Sequence, residues 1–137
     1  NEFENIAGIK EVAGNFDQVL ILLHGKPGDL MVISGEVSLA LSLVLAGGAG
    51  VISVMGQALP DFSEMIRLGL DQKTGQAFDK FYHILPGIQL IFKEGNPAGI
   101  KAILKNLGIC KTFVRLPLIK ASPELQKKIS NFVEIYK

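Results

Sequence analysis

Cysteine and long hydrophobic runs are scarce in this sequence of 137 residues, and each scarcity excludes a class of protein. Cys110 is the one cysteine, so no disulfide framework is possible within the chain, which fits a reducing cytosol. The longest apolar run, residues 39–46, is too short to span a bilayer. The net charge is +1 and no basic run is longer than Lys127-Lys128. Neither a membrane nor nucleic acid is therefore expected as a partner.

The composition that remains is that of a globular domain. Hydrophobic residues make up 48% of the chain and charged residues 20%, enough for one real core. The mean hydropathy of +0.35 is high for a free-standing domain and predicts apolar surface that something else covers. The sequence starts at Asn1 and opens almost at once into a strand, so a fragment, a processed piece or an engineered chain is expected.

The first part of the chain alternates short apolar strands with helices. Gly14 ends the first strand, Asn15 is a good helix N-cap, and a second helix, which carries no charge, is expected to be capped by Ser38. Short connections of this kind are typical of right-handed βαβ units with parallel strands, and apolar residues on both strand faces predict cover on both sides. The predicted strands are 5–11, 30–34 and 51–55, and the predicted helices are 16–24 and 39–46.

Beyond Gly56 the pattern predicts helices alone. Pro86-Gly87 is expected to break or kink one of them, and Asn96 is expected to cap another with Pro97 at its first position. Ser122 opens the last helix. The sequence therefore predicts two parts, residues 1–57 with strands and helices and residues 58–137 with helices only.

Lys10 is the sharpest candidate for chemistry. A lysine within a short apolar strand is edge-exposed, paired or catalytic, because an unpaired buried ammonium is costly. A desolvated lysine can attack a carbonyl and form a Schiff base, and Gly8 on the same face would leave room for a small keto acid. From composition alone, a strand-end lysine that reaches solvent is the favoured interpretation.

Five segments, taken in order, carry a recognisable pattern. They are Gly8-Ile9-Lys10-Glu11 with Gly14-Asn15, Ser34-Gly35-Glu36, residues 47–54, Asn96-Pro97 with Lys101, and Arg115-Leu116-Pro117-Leu118. This pattern resembles the dihydrodipicolinate synthase family of pyruvate-dependent aldolases, whose fold is a (β/α)8 barrel with a C-terminal helical domain. The resemblance implies that this α/β chain holds the last three βα units of the barrel in residues 1–57, followed by the helical domain in residues 58–137.

The resemblance also implies roles for three residues. Lys10 would be the catalytic Schiff-base lysine, while Gly35 and Ile52 fall where the family lines its pyruvate-binding pocket. Pyruvate would be the substrate, and no metal or organic cofactor is implied, because the lysine itself is the electron sink. The family's proton-relay tyrosine and the groups that bind its second substrate have no counterpart here.

Three residues depart from the family's usual pattern, and all three are apolar residues at strand ends. They are Val12, Ala13 and Val37. The departures fit either damage to the site or repacking of a truncated barrel, since a buried polar group without a partner costs about 1–3 kcal/mol.

Other candidate sites have structural explanations. The glycine run 47–50 precedes a strand, whereas a phosphate loop follows one, so a helix stop is favoured. His24 and His83 have no ligand-type residue at metal spacing, and Cys110 is expected to be a small buried group. Glu11 and Glu36 could form an acid pair, although solvation at strand ends explains them as well.

Two hypotheses of function remain open at this stage. In the first, the chain is part of a synthase that condenses pyruvate with aspartate semialdehyde on the route to lysine, with a sialic-acid-type lyase as the alternative. In the second, it is a non-catalytic half-barrel that folds and assembles. In either case the chain by itself is expected to be inactive, and open strand edges predict a homo-oligomer.

Overall fold

A computed structural model describes residues 3–137 and places three short parallel strands in one sheet. Lys10 pairs with Ile33 of the second strand, which in turn pairs with Gly50 of the third. The predicted α/β class and the parallel βαβ order are confirmed. The strands lie in the order β1 (Gly8–Glu11), β2 (Met31–Ser34) and β3 (Gly50–Val51).

Helices make up most of the remaining regular structure. The third strand ends at Val51 rather than at the predicted Met55, where a 3-10 turn, Met55–Gln57, begins. The helices are α1 (Phe16–Gly25), α2 (Ala40–Leu45), α3 (Pro60–Leu70), α4 (Thr74–Ile91), α5 (Ala98–Asn106) and α6 (Pro123–Tyr136).

The described chain divides into two compact units by its internal contacts. One unit holds residues 3–53 together with Asp61–Phe81, and the other holds Val54–Pro60 together with Tyr82–Lys137. The predicted parts, 1–57 and 58–137, divide the chain where strands with helices give way to helices alone. That these two parts are domains stays a prediction.

In the first unit, α1 and α2 cover one face of the sheet. Val19 of α1, Val32 of β2 and Leu43 of α2 form a fully buried cluster. The predicted cap of α1 is confirmed, because the Asn15 side chain accepts a hydrogen bond from the Gln18 backbone N–H at 3.2 Å. The lack of charge in α2 is explained by four buried side chains, those of Ala40, Leu41, Leu43 and Val44.

Helix α3 and the first part of α4 belong to the same unit. A Cβ added at Gly69 of α3 would lie 2.9 Å from Leu41 Cδ1, so only glycine permits this close approach to α2. Lys80 of α4 then forms ion pairs with Asp61 at 2.9 Å and Glu64 at 3.0 Å, both on α3.

The second unit is built on the packing of α5 against α6. Ile103 of α5 and Ile129 of α6 are completely buried. The ring of Phe132 lies on Gly87 of α4, where an added Cβ would be 2.5 Å from Phe132 Cζ. The predicted cap of α6 is confirmed, because Ser122 Oγ accepts from the Leu125 backbone N–H at 3.1 Å.

Several predicted element boundaries were wrong. Ser38 does not cap α2, whose first turn has no side-chain cap. Pro86 does not end its helix, since α4 continues through it to Ile91. Helix α5 begins after Pro97 rather than at it, and the peptide bonds Asn96–Pro97 and Leu116–Pro117 are both cis.

Candidate active site

The side chain of Lys10 lies over Gly35. A Cβ added at Gly35 would be 2.5 Å from Lys10 Cε and 3.2 Å from Lys10 Cγ. Any larger residue at position 35 would displace the lysine, because non-bonded carbon atoms do not approach this closely. The missing side chain of Gly35 therefore creates the space that the lysine stem occupies, at the carboxyl edge of β1 and β2.

Ile52 lies on the same sheet face, one strand further along. Its backbone N–H donates to Ser34 O at 2.9 Å, which continues the ladder beyond β3. Since strand residues alternate between faces, Ile52 shares a face with Gly50, and Gly50 pairs with Ile33 opposite Lys10. The structure thus brings the three residues singled out in the sequence to the ends of three adjacent strands.

The face that carries Lys10 is not covered as predicted. Met31 is 44% exposed and Ile52 is 57% exposed, while Val32 on the opposite face is buried under the helices. Within residues 3–137, helices therefore cover one face of this sheet and leave its apolar second face open.

Gly8 has a different role from the one predicted. A Cβ at this position would lie 2.6 Å from Met31 O and 2.9 Å from Met31 Cβ. The glycine allows β1 and β2 to approach each other, and it does not make room for a ligand.

The two acids at the strand ends are bound within their own turns. Glu11 is 5% exposed, and its Oε1 accepts from the Ala13 backbone N–H at 2.7 Å. Glu36 Oε1 accepts from Ser38 Oγ at 2.9 Å and from its backbone N–H at 3.3 Å. Each carboxylate thus organises the loop that follows its strand.

Sequence reasoning missed the cavity beside β1. It has a volume of about 490 Å³ and lies along the edge of β1 that pairs with no strand in the described chain. Glu11 reaches this edge although it is almost fully buried, and the acid directly after the lysine was the one signal available in the sequence. The lining residues are Ile9, Lys10, Glu11, Val12, Ala13, Gln18, Ile21 and Leu22.

A family model described as the dihydrodipicolinate synthetase family matches residues 1–136. The chain belongs to this family. It is 44% identical over 134 residues to the 4-hydroxy-tetrahydrodipicolinate synthase of Flavobacterium psychrophilum, covering 97% of this chain and 46% of that protein. With the synthase of Karelsulcia muelleri the identity is 43% over 131 residues, covering 94% and 44%. The chain therefore spans about half the length of the curated relatives it matches.

Solved structures show the same relationship. The dihydrodipicolinate synthase of Aquifex aeolicus superposes with a TM-score of 0.93 at 32% identity, covering 98% of this chain and 46% of that one. A chloride-inhibited dihydrodipicolinate synthase from Acinetobacter baumannii, solved in complex with pyruvate, gives 0.93 at 29% identity, covering 98% and 47%. The resemblance predicted from the motifs, to part of a dihydrodipicolinate synthase, is confirmed.

The three apolar departures from the family's pattern have different surroundings. Val37 is 1% exposed and belongs to the core, so an acid there would be buried. Val12 is largely exposed, and its Cγ1 lies 2.8 Å from a Cβ added at Gly35, beside the stem of Lys10. Ala13 contributes its backbone N–H to Glu11.

The remaining candidates fit structural roles. Gly47 and Gly50 have φ values of +104° and +149°, which favour glycine where α2 ends and β3 begins. His83 stacks on Tyr136 with ring centroids 5.2 Å apart, and Cys110 is half-buried. Within residues 3–137 no cluster of His, Cys, Asp or Glu could hold a metal ion, and no helix has the length and apolarity needed to cross a membrane.

Proposed function

We propose that this chain carries the Schiff-base lysine of a synthase that condenses pyruvate with aspartate semialdehyde. The observation that supports it is the position of Lys10, whose stem lies over Gly35 at the carboxyl edge of parallel strands. Active sites of (β/α)8 barrels form at this edge. In this proposal residues 1–57 contribute the last three βα units of such a barrel, and residues 58–137 contribute its C-terminal helical domain.

The chemistry requires only the lysine amine and pyruvate for its first steps. The neutral amine attacks the keto carbon, water leaves, and a protonated imine forms. That cation withdraws electrons, so the methyl carbon loses a proton and becomes an enamine. The enamine carbon then attacks the aldehyde carbon of the second substrate. We assign no residue of this chain to the transfer of these protons. That the chain is inactive by itself stays a prediction.

Gly35 and Ile52 are proposed to form walls of the pyruvate pocket. Gly35 leaves space for the lysine stem, and Ile52 offers an exposed apolar side chain on the same face. A small keto acid beside Lys10 would then lie against apolar surface.

Trapping with borohydride tests the proposal directly. Pyruvate and borohydride are expected to add one reduced pyruvate unit at Lys10, located by peptide mass spectrometry. Lys10→Arg keeps a cation but cannot form an imine, so its adduct should disappear. Lys26→Arg changes a half-buried lysine elsewhere in the first unit and should leave the adduct unchanged. Absence of an adduct at Lys10 between about pH 7 and pH 9 would remove the catalytic assignment.

The exposed sheet face supports a second candidate function, a non-catalytic module that assembles. Met31 and Ile52 on this face are 44% and 57% exposed, and β1 and β3 each pair with β2 alone in the described chain. Such edges and faces favour self-association, so a homo-oligomer is proposed. Sedimentation should then show a dimer or larger assembly, and a well-dispersed monomer would contradict it. A cytoplasmic location is also proposed, because a single cysteine allows no disulfide framework within the chain.

The names of the relatives favour a synthase over a sialic-acid-type lyase. Eight curated relatives at 36–44% identity are all named 4-hydroxy-tetrahydrodipicolinate synthase. Aspartate semialdehyde or N-acetylmannosamine added with pyruvate before the borohydride distinguishes the two, since only the true second substrate should consume the enamine and lower the yield of the trapped adduct.

A further inference from the structure

Glu11 is a buried acid that the proposed chemistry does not use. It directly follows Lys10 at the end of β1 and is 5% exposed. Burying a carboxylate is costly unless it is hydrogen-bonded, so its position requires an explanation. Among the described residues, the structure shows a side-chain contact of Glu11 with the Ala13 backbone N–H, at 2.7 Å.

This contact fixes the turn that leaves β1. The backbone N–H of Ala13 lies beyond the strand, where the sheet ladder no longer supplies an acceptor. The Glu11 carboxylate supplies it from two residues away. In the same place Glu11 O accepts from the Gly35 backbone N–H at 2.7 Å, which ties the end of β1 to the end of β2. The side chain and the main chain of Glu11 therefore hold both strand ends.

The residue enclosed by this turn touches the site of Lys10. Val12 Cγ1 and Lys10 Cε both lie against the same point above Gly35, at 2.8 Å and 2.5 Å from an added Cβ. Val12 thus forms a side wall for the lysine stem. If the turn were released, Val12 would move and the flexible stem of Lys10 would lose the contact that restricts its rotamers.

We propose that Glu11 is a positioning residue for Lys10. It acts through the turn that it fixes by accepting a hydrogen bond from the Ala13 backbone N–H, and through Val12 within that turn. The proposal rests on the proposed function for its catalytic meaning, whereas the positioning itself is a property of the fold. A buried carboxylate oxygen facing the Ala13 N–H keeps the amine directed across Gly35. Small displacements of a reacting group are expensive, so a loosened turn should slow imine formation by about tenfold.

Two variants separate positioning from general stability. Glu11→Gln keeps an amide oxygen that can accept from Ala13, whereas Glu11→Ala removes the acceptor. We expect Glu11→Ala to slow pyruvate trapping at Lys10 by about tenfold and Glu11→Gln to restore it to within about threefold of the original chain. Glu4→Ala removes an exposed acid ahead of β1 and should match the original rate. Rates are compared per folded molecule, with circular dichroism as the measure of folding.

A second readout does not depend on pyruvate. The nuclear Overhauser effect between the Lys10 ε-protons and the Gly35 α-protons should be strong in the original chain and in Glu11→Gln, and lost in Glu11→Ala. If the original chain shows this contact but traps no pyruvate, the proposed function is wrong. The positioning role of Glu11 is then still tested by comparing the Lys10–Gly35 contact between the original chain and the two Glu11 variants. Retention of the contact in Glu11→Ala, or its loss in Glu11→Gln as well, would overturn the proposal.

Discussion

Glu94 and Ser122 are joined although 28 positions separate them in the sequence. Glu94 Oε2 accepts from the Ser122 backbone N–H at 2.7 Å, and Glu94 Oε1 accepts from Ser122 Oγ at 2.5 Å. The same hydroxyl oxygen accepts from the Leu125 backbone N–H at the start of α6. The acid after α4 thereby holds the N-cap of α6 in place, within the second unit.

This contact predicts a specific pH dependence of stability. The hydrogen bonds from the Ser122 side chain and backbone lower the pKa of Glu94 below its ordinary value of 4.5. A folded-state pKa below the unfolded one contributes stability that is present above the unfolded value and is lost as the pH falls through the folded value. Glu94→Gln should therefore lower the melting temperature near about pH 7, and the difference from the original chain should shrink below about pH 4.

Thermal unfolding followed by circular dichroism at several pH values measures this difference. Glu134→Gln, at an exposed position on the same α6 helix, is the matched control and should shift the melting temperature little. A Glu94→Gln deficit that stays constant down to about pH 3 would show that the ionised carboxylate is not the stabilising form.

At Gly99, a single added methyl group is expected to lower the stability of the protein strongly. A Cβ there would lie 2.5 Å from Ile91 Cα and would also meet the Ile91 carbonyl group, so α5 approaches the backbone at the end of α4. Because backbone cannot move aside as a flexible side chain can, Gly99→Ala should lower the free energy of unfolding by about 2–3 kcal/mol. Chemical denaturation measures it.

Gly75 is the control for that substitution. It lies in the first turn of α4, and a Cβ there meets nothing within 4 Å. Gly75→Ala should raise the free energy of unfolding by about 0.5 kcal/mol, since alanine restricts the unfolded chain. Equal effects at both positions would show that the approach to Ile91 is not tight.

Shortening the side chain of Val19 is expected to create a destabilising cavity in the first unit. It is completely buried against Val32 and Leu43, where α1 meets the sheet. Val19→Ala should lower the free energy of unfolding by about 2 kcal/mol, through lost burial and an unfilled space. The neighbouring Leu20 is 44% exposed, and Leu20→Ala should cost clearly less in the same denaturation experiment. The reverse order would place α1 in a different rotation on the sheet.

Local patterns were sufficient for the elements whose stabilising contacts are close in sequence. Asn15 caps α1 through Gln18, three residues away, and Ser122 caps α6 through Leu125 at the same spacing. Both were predictable because a cap requires only its own turn. The motif around Lys10 likewise predicted the family, which the comparisons confirm.

Helix α4 shows where local patterns fail. Pro86 removes one backbone donor and its ring crowds the preceding turn, so the sequence predicted a break or a kink, and the break does not occur. The helix continues because Ile84, Ile88 and Ile91 are all buried on either side of the proline. Their burial outweighs the local cost, and burial here depends on distant residues, such as Phe132, whose ring lies on Gly87.

The sequence by itself determined the class of fold, the caps, the lysine at the strand end and the family. Only the tertiary structure decided why Gly8 and Gly35 are glycines, and that Glu11 is buried beside Lys10. The physical reason is the range of the interactions. Capping, periodicity and turn chemistry act over three or four residues, whereas the space above Gly35 exists only after β1 and β2 pair, more than twenty residues apart in the chain.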